Sequence, residues 1–212
     1  MEPLVSGFYT ICVWVFRFAY LNILWLLFTL LGAVVLGFFP ATIAMFAVER
    51  KWILGDSDFS IFQHFWSTYK QEFIKINLLG YAVTFIGALL VINYFISTSL
   101  NNAIGDMLGW LLLGLLLLCT VAVIYIFPVY VHYDVKYLDY IKHAFVIGIS
   151  SPLMSLLILL SFMTYFYIVT IFPGILPLYT GSMLSFAVMW FAHCAFIRIE
   201  SKQIKRTQPD LH

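Results

Sequence analysis

Five apolar stretches dominate the chain, each close to the roughly 20 residues an α-helix needs to cross a bilayer. They run over about 18–39, 74–96, 107–131, 152–172 and 176–197. Only 10% of the 212 residues are charged and 63% are hydrophobic, whereas a soluble domain carries roughly 25% charged residues. Such a chain cannot cover a water-facing surface, so the bilayer must be its solvent. The predicted architecture is an all-α transmembrane fold, one integral membrane domain over 1–212.

The charges set an orientation. Every lysine and arginine except Arg17 falls in one of three stretches: Arg50, Lys51, Lys70 and Lys75; then Lys136 and Lys142; then Arg198, Lys202, Lys205 and Arg206. The connections between them, around Ser97–Met107 and Pro173–Pro177, carry none. Basic connections stay in the cytoplasm, which predicts an N-out/C-in arrangement. Arg17 is then the one cation on the far side. It either snorkels to the outer headgroups or sits inside the bundle with a polar partner such as Asn22. Residues 1–17 form an interfacial helix or extend the first span into a long tilted helix. Met1-Glu2-Pro3 lacks the basic start of a cleavable signal.

The cytoplasmic connections read as helices, over about 41–73 in the first case. Pro40 suits the first turn of a new helix. Ala41 to Leu54 contains no Gly or Pro, and Gly55-Asp56-Ser57-Asp58 is a stop signal. Asp58 or Ser60 then caps a second helix. Its aromatic stripe of Phe62, Phe65, Trp66, Tyr69 and Phe73 is expected at the inner interface before the second span. After the third span, Tyr130, Tyr133, Tyr137 and Tyr140 make an aromatic face, with His132, Lys136, Asp139 and His143 beside it. That face suits the headgroup region or a docking partner. Phe39-Pro40 and Phe127-Pro128 each close an apolar run, a weak hint of internal duplication of the kind that builds transporters.

Motifs that carry chemistry are missing from the sequence. There is no HExxH, GxSxG or Walker loop, and no acidic residue falls at the middle of a span, where it would flag function. The expectation is a protein that is not an enzyme and uses no cofactor or metal. No basic patch interleaves with stacking aromatics, so nucleic-acid binding is not expected. Cys12, Cys119 and Cys194 lack zinc or disulfide spacing and read as small core residues. His193 reads as a packing histidine. Asn77 and Asn93 read as interhelical hydrogen-bonding groups. Gly105 to Gly109 is a GxxxG at the outer mouth of the third span. The candidate partner interface is Glu49, Arg50, Lys51 and Trp52 with Tyr133, Tyr137 and Tyr140. Arg50 and Lys51 would alternatively hold anionic headgroups.

Gly37-Phe38-Phe39-Pro40-Ala41-Thr42-Ile43-Ala44-Met45-Phe46-Ala47-Val48, then Lys51-Trp52, resembles the signature of the YesL-like family of small bacterial polytopic membrane proteins. Leu21-Asn22-Ile23-Leu24-Trp25 before it fits, as does Lys142-His143-Ala144-Phe145 leading to Pro152-Leu153. The resemblance implies a multi-pass protein of the bacterial plasma membrane, encoded near sugar-uptake ABC systems, and no defined activity. The function expected on that basis is an accessory or assembly subunit beside a carbohydrate ABC importer, touching its permease or ATPase subunits. The alternative is a small oligomeric transporter or channel.

Overall fold

The computed structural model describes the backbone of residues 2–100, 102–133, 137–172, 174 and 176–207, and the side chains of 7–100, 102–133, 139–172, 174, 178–179 and 181–201. Among these residues the secondary structure is entirely helical. The elements are α1 (Glu2–Leu31), α2 (Phe38–Ile53), α3 (Ile61–Ser99), α4 (Ala103–His132), α5 (Tyr137–Ser150), α6 (Pro152–Ile171) and α7 (Leu176–Thr207). Among the described residues five segments are long and apolar enough to cross a membrane: Gly7–Leu31, Ile61–Ser99, Ala103–His132, Pro152–Ile171 and Gly181–Ser201. The first thus takes in most of the N-terminal residues and ends well before 39. The second absorbs the helix expected at the inner interface.

The chain divides into two compact units: Met1–Phe73 with Leu156–Phe191, and Ile74–Ser155 with Ala192–His212. In the first, α2 doubles back along α1. Residues 32–37 form the turn between them, with Ala33 and Val34 at positive φ. The carbonyls of Phe28, Thr29 and Leu30 are satisfied there by the N–H groups of Gly32, Val34 and Ala33 respectively, settling groups that a helix end leaves open. Pro40 lies in the first turn of α2, where its missing N–H is harmless. The far end of α2 carries Arg50 and Lys51, which complement the helix dipole. It closes on Gly55, at φ 88°, with Gly55 N–H donating to Trp52 O and Asp56 N–H to Lys51 O. This is a Schellman close, which needs the left-handed residue glycine supplies. The Ser60 hydroxyl then accepts from the N–H of Gln63, capping α3.

The core of this unit follows from helical spacing. Leu21, Leu24 and Phe28 of α1 meet Ala41, Ala44, Met45, Val48 and Trp52 of α2, and Phe65 and Tyr69 of α3. Small Ala41, Ala44 and Val48 let α1 and α2 approach closely. The seven consecutive residues Pro40–Phe46 are buried, so α2 is a core helix rather than an exposed cytoplasmic connection. The aromatic stripe of α3 is divided likewise. Phe65 and Tyr69 turn into the core against Phe28, and only Phe62 and Trp66 remain exposed.

In the second unit α5 doubles back along α4. The rings of Tyr130 and Tyr140 meet at a tilt with centroids 4.6 Å apart, and Gly148 lies against Val121 and Tyr125. Pro128 sits inside α4, whereas Pro40 opens α2, so the two Phe-Pro dipeptides mark different structural places. What repeats is the hairpin, one in each unit. Tyr130, Tyr133, Tyr137 and Tyr140 were expected on one helix; the helix breaks after His132, and Tyr130 meets Tyr140 across the hairpin instead. The GxxxG glycines Gly105 and Gly109 do bring α4 against Ser97 and Thr98 of α3.

Candidate functional site

The α1–α2 hairpin brings the polar residues of the first unit together. Asn22, Glu49, Ser182 and Ser185 are all buried. Asn22 reaches from α1 to α7, where its Oδ1 accepts from the N–H groups of Gly181 at 2.8 Å and Ser182 at 3.1 Å. The Ser182 hydroxyl returns the contact, donating to Phe18 O at 2.9 Å. Glu49, on α2, lies 2.5 Å from the Ser185 hydroxyl through Oε1. Its Oε2 is buried without a hydrogen-bond partner. Burial pushes the Glu49 carboxyl well above the ordinary carboxylate range, with the Ser185 bond opposing that rise. Glu49 was expected on an exposed face and instead is fully enclosed. Its position three residues before buried Trp52 puts both on the inward stripe of α2.

The remaining predicted residues are divided. Trp52 is in the core, edge-on to Trp14 and Phe18, so Glu49 and Trp52 are withdrawn from the expected interface. Arg50 and Lys51 are half-buried. Lys51 pairs with Asp56 at 3.3 Å and stands over the Phe59 ring. Arg17 donates to Ser57 O at 3.2 Å and stands over the Trp14 ring. Its hydrogen-bond partner within the fold is therefore Ser57 rather than Asn22. That bond puts Arg17 at the same end of the hairpin as Arg50 and Lys51. The first span does not separate them, because α2 returns along α1. Beside this end lies an open groove of about 580 Å³, lined by Cys12, Val13, Phe16, Arg17, Tyr20, Phe59, Ser60, Ile61 and Phe62.

In the second unit the Tyr133 hydroxyl donates to Glu200 Oε1 at 3.0 Å, and His132 Nε2 lies 3.7 Å from the same oxygen. Burial first, and Glu200 second, hold the Tyr133 phenol protonated well above the usual tyrosine range. Tyr140 is buried. Tyr137 opens α5, and its side chain lies outside the described residues, as does Lys136. Tyr133, Lys142, His143, Val146, Ile147, Ile199 and Glu200 line a pocket of about 440 Å³. Among the described residues no three or more His, Cys, Asp or Glu side chains are grouped to hold a metal ion. Asn93 does not bond across helices; its amide donates to Leu89 O of its own helix.

Sequence reasoning missed Asn22, Ser182 and Ser185 as a seam. The available signal was the small and hydroxyl run Gly181, Ser182 and Ser185 at helical spacing, which lets helices approach and bond across.

Residues 18–94 match a family described as "Protein of unknown function, DUF624". Three proteins of Bacillus subtilis (strain 168) are similar over nearly their whole length. Uncharacterized protein YesV is 36% identical over 93% of this chain and 95% of its own. Uncharacterized protein YteU is 35% identical over 89% and 85%, and uncharacterized protein YesL 33% identical over 97% of each. No solved structure matches. On this similarity over nearly its whole length, the chain belongs to the YesL-like DUF624 family of uncharacterised proteins.

Proposed function

We propose that this protein is a non-enzymatic membrane subunit that works by association, as an accessory or assembly factor beside a carbohydrate ABC importer in the bacterial plasma membrane. One observation carries the associative part: the surface where the α1–α2 hairpin ends. Arg17, Lys51, Asp56 and Phe59 are tied there by an ion pair, a backbone bond and cation–π contacts, next to the open groove lined by Phe16, Tyr20 and Phe62. A cation-and-aromatic surface flanking an apolar groove is the composition of a binding hot spot. By the positive-inside argument this end faces the cytoplasm, the side on which such importers hold their ATPases; because Arg17 lies at the same end, this orientation brings the start of α1 to the cytoplasm as well and replaces the N-out expectation. The link to sugar uptake is supported by the family resemblance alone, an analogy rather than a geometric argument.

The test is co-purification from native membranes in mild detergent. Arg50→Glu with Lys51→Glu should remove permease or ATPase subunits from the eluate while expression and membrane insertion stay as in the wild type. If the double variant keeps every partner, the hairpin end is not the interface. The second reading, a small oligomeric transporter or channel, is supported by the buried seam of Asn22, Glu49, Ser182 and Ser185. Solute flux into vesicles holding only this purified protein would favour it.

A further inference from the structure

Ser185 makes three contacts with oxygens, two of them short, and its one hydrogen cannot point along both short contacts, so both are good hydrogen bonds only if Glu49 supplies a proton. Its Oγ is 2.5 Å from Glu49 Oε1, 2.8 Å from Gly181 O and 3.3 Å from Ser182 O. A hydroxyl holds one hydrogen and two acceptor lone pairs, while a carbonyl and an ionised carboxylate only accept. If Glu49 were ionised, the single Ser185 hydrogen would point at Oε1, and the contact with Gly181 O would set oxygen lone pairs together 2.8 Å apart. If Glu49 is the neutral acid, both short contacts are satisfied: its O–H donates to Ser185 Oγ, and Ser185 donates on to Gly181 O. The 2.5 Å length suits either state; the hydrogen count suits one.

The surroundings agree. Glu49 is 0% exposed, and its Oε2 has no hydrogen-bond partner. A neutral C=O tolerates that far better than an anion does, because an unpaired buried charge is the costlier group. Among the described residues no ion pair compensates it. The cations and the histidine on the helices of the unit that pack together are Arg17 on α1, Arg50 and Lys51 on α2, and His64 and Lys70 on α3, with Lys70 standing over the Trp66 ring. Arg17 is engaged with Ser57 and Lys51 with Asp56, and neighbours one and two places along a helix do not share a face with Glu49. His64 makes its ring contact with Phe59. From α7 the group facing Glu49 is the neutral Ser185 hydroxyl.

We infer that Glu49 is a proton-binding site, and that the bound proton holds α2 against α7. Loss of the proton to water would leave an unpaired anion in the core, so the α2–α7 contact must loosen to let it go. This goes beyond the associative role proposed above and does not depend on it.

The test uses the full-length protein in phospholipid vesicles, by infrared difference spectroscopy at neutral pH. The expected result is a protonated-carboxyl C=O band that Glu49→Gln removes and Ser185→Ala moves to higher frequency. Gln keeps the size and the donor of the neutral acid, so this variant should fold. The second measurement is thermal unfolding against pH. A group whose native pKa is raised contributes stability that is full below its unfolded pKa and is lost as pH rises toward the native value. Wild type should therefore lose stability relative to Glu49→Gln as pH rises above the ordinary carboxylate range, by at most about tenfold in the unfolding constant per pH unit. A band that is absent at neutral pH, a band unchanged in Glu49→Gln, a Gln variant that does not fold, or parallel pH profiles would each overturn the assignment.

Discussion

Asn22 and Asn93 both lie in apolar segments, and the structure predicts opposite outcomes for the same substitution. Asn22 is 0% exposed and its Oδ1 accepts two backbone N–H groups of α7. Asn93 is exposed and its amide donates to Leu89 O within its own helix. Replacing Asn22 by Leu, similar in branching but without acceptors, removes two interhelical bonds at about 0.5–1.5 kcal/mol each. The expected loss is therefore about 1–3 kcal/mol, toward the lower figure if lipid-embedded helices behave as in direct measurements. Asn93→Leu removes no contact between helices and should stay within about 0.5 kcal/mol of wild type. Reversible unfolding in mixed micelles, followed by tryptophan fluorescence, reads both, since Trp25 lies against Gly181 beside the Asn22 contact. Equal effects, or a more stable Asn22→Leu, would refute the claim that Asn22 fastens α1 to α7.

Further outcomes follow from the same geometry. Tyr69→Phe removes the hydroxyl that donates to Phe28 O at 3.1 Å and should cost about 1 kcal/mol in the same unfolding assay. Gly55→Ala forces a side chain into φ 88° and should cost about 1 kcal/mol, read as a lower melting temperature with unchanged helical content. In a chain freed of Cys12, Cys119 and Cys194, cysteines placed at Gly7 and Ser57 should label from the same side of the membrane with an impermeant reagent, because Arg17 bonds to Ser57; labelling from opposite sides would break the hairpin assignment. Ultraviolet titration should find Tyr133 still protonated where ordinary tyrosines ionise, at about pH 10. Glu200→Gln should bring its ionisation only part of the way down, since burial is the larger cause.

Apolar run length and residue spacing were enough to read the helices. Five runs near the length of a bilayer crossing gave five candidate spans, and Pro40 and the Gly55 stop bounded α2 because proline and left-handed glycine act within a single turn. Cap residues such as Ser60 were legible for the same reason. The charge pattern located the basic stretches but could not say what lay between them. Only tertiary packing folds α2 back along α1, and that return moves Arg17 to the basic end and drives Glu49 and Trp52 inward. A periodic stripe says which residues share a face, not whether that face meets lipid, water or another helix. Phe65 and Tyr69 thus read like Phe62 and Trp66, and became core only because Phe28 stands opposite them. Asn22 and Asn93 likewise read alike, and the arrival of α7 beside one of them makes the difference. The partnership of Glu49 with Ser185 spans 136 residues of chain. No local pattern encodes a contact of that range, so the proton site belongs to the fold alone.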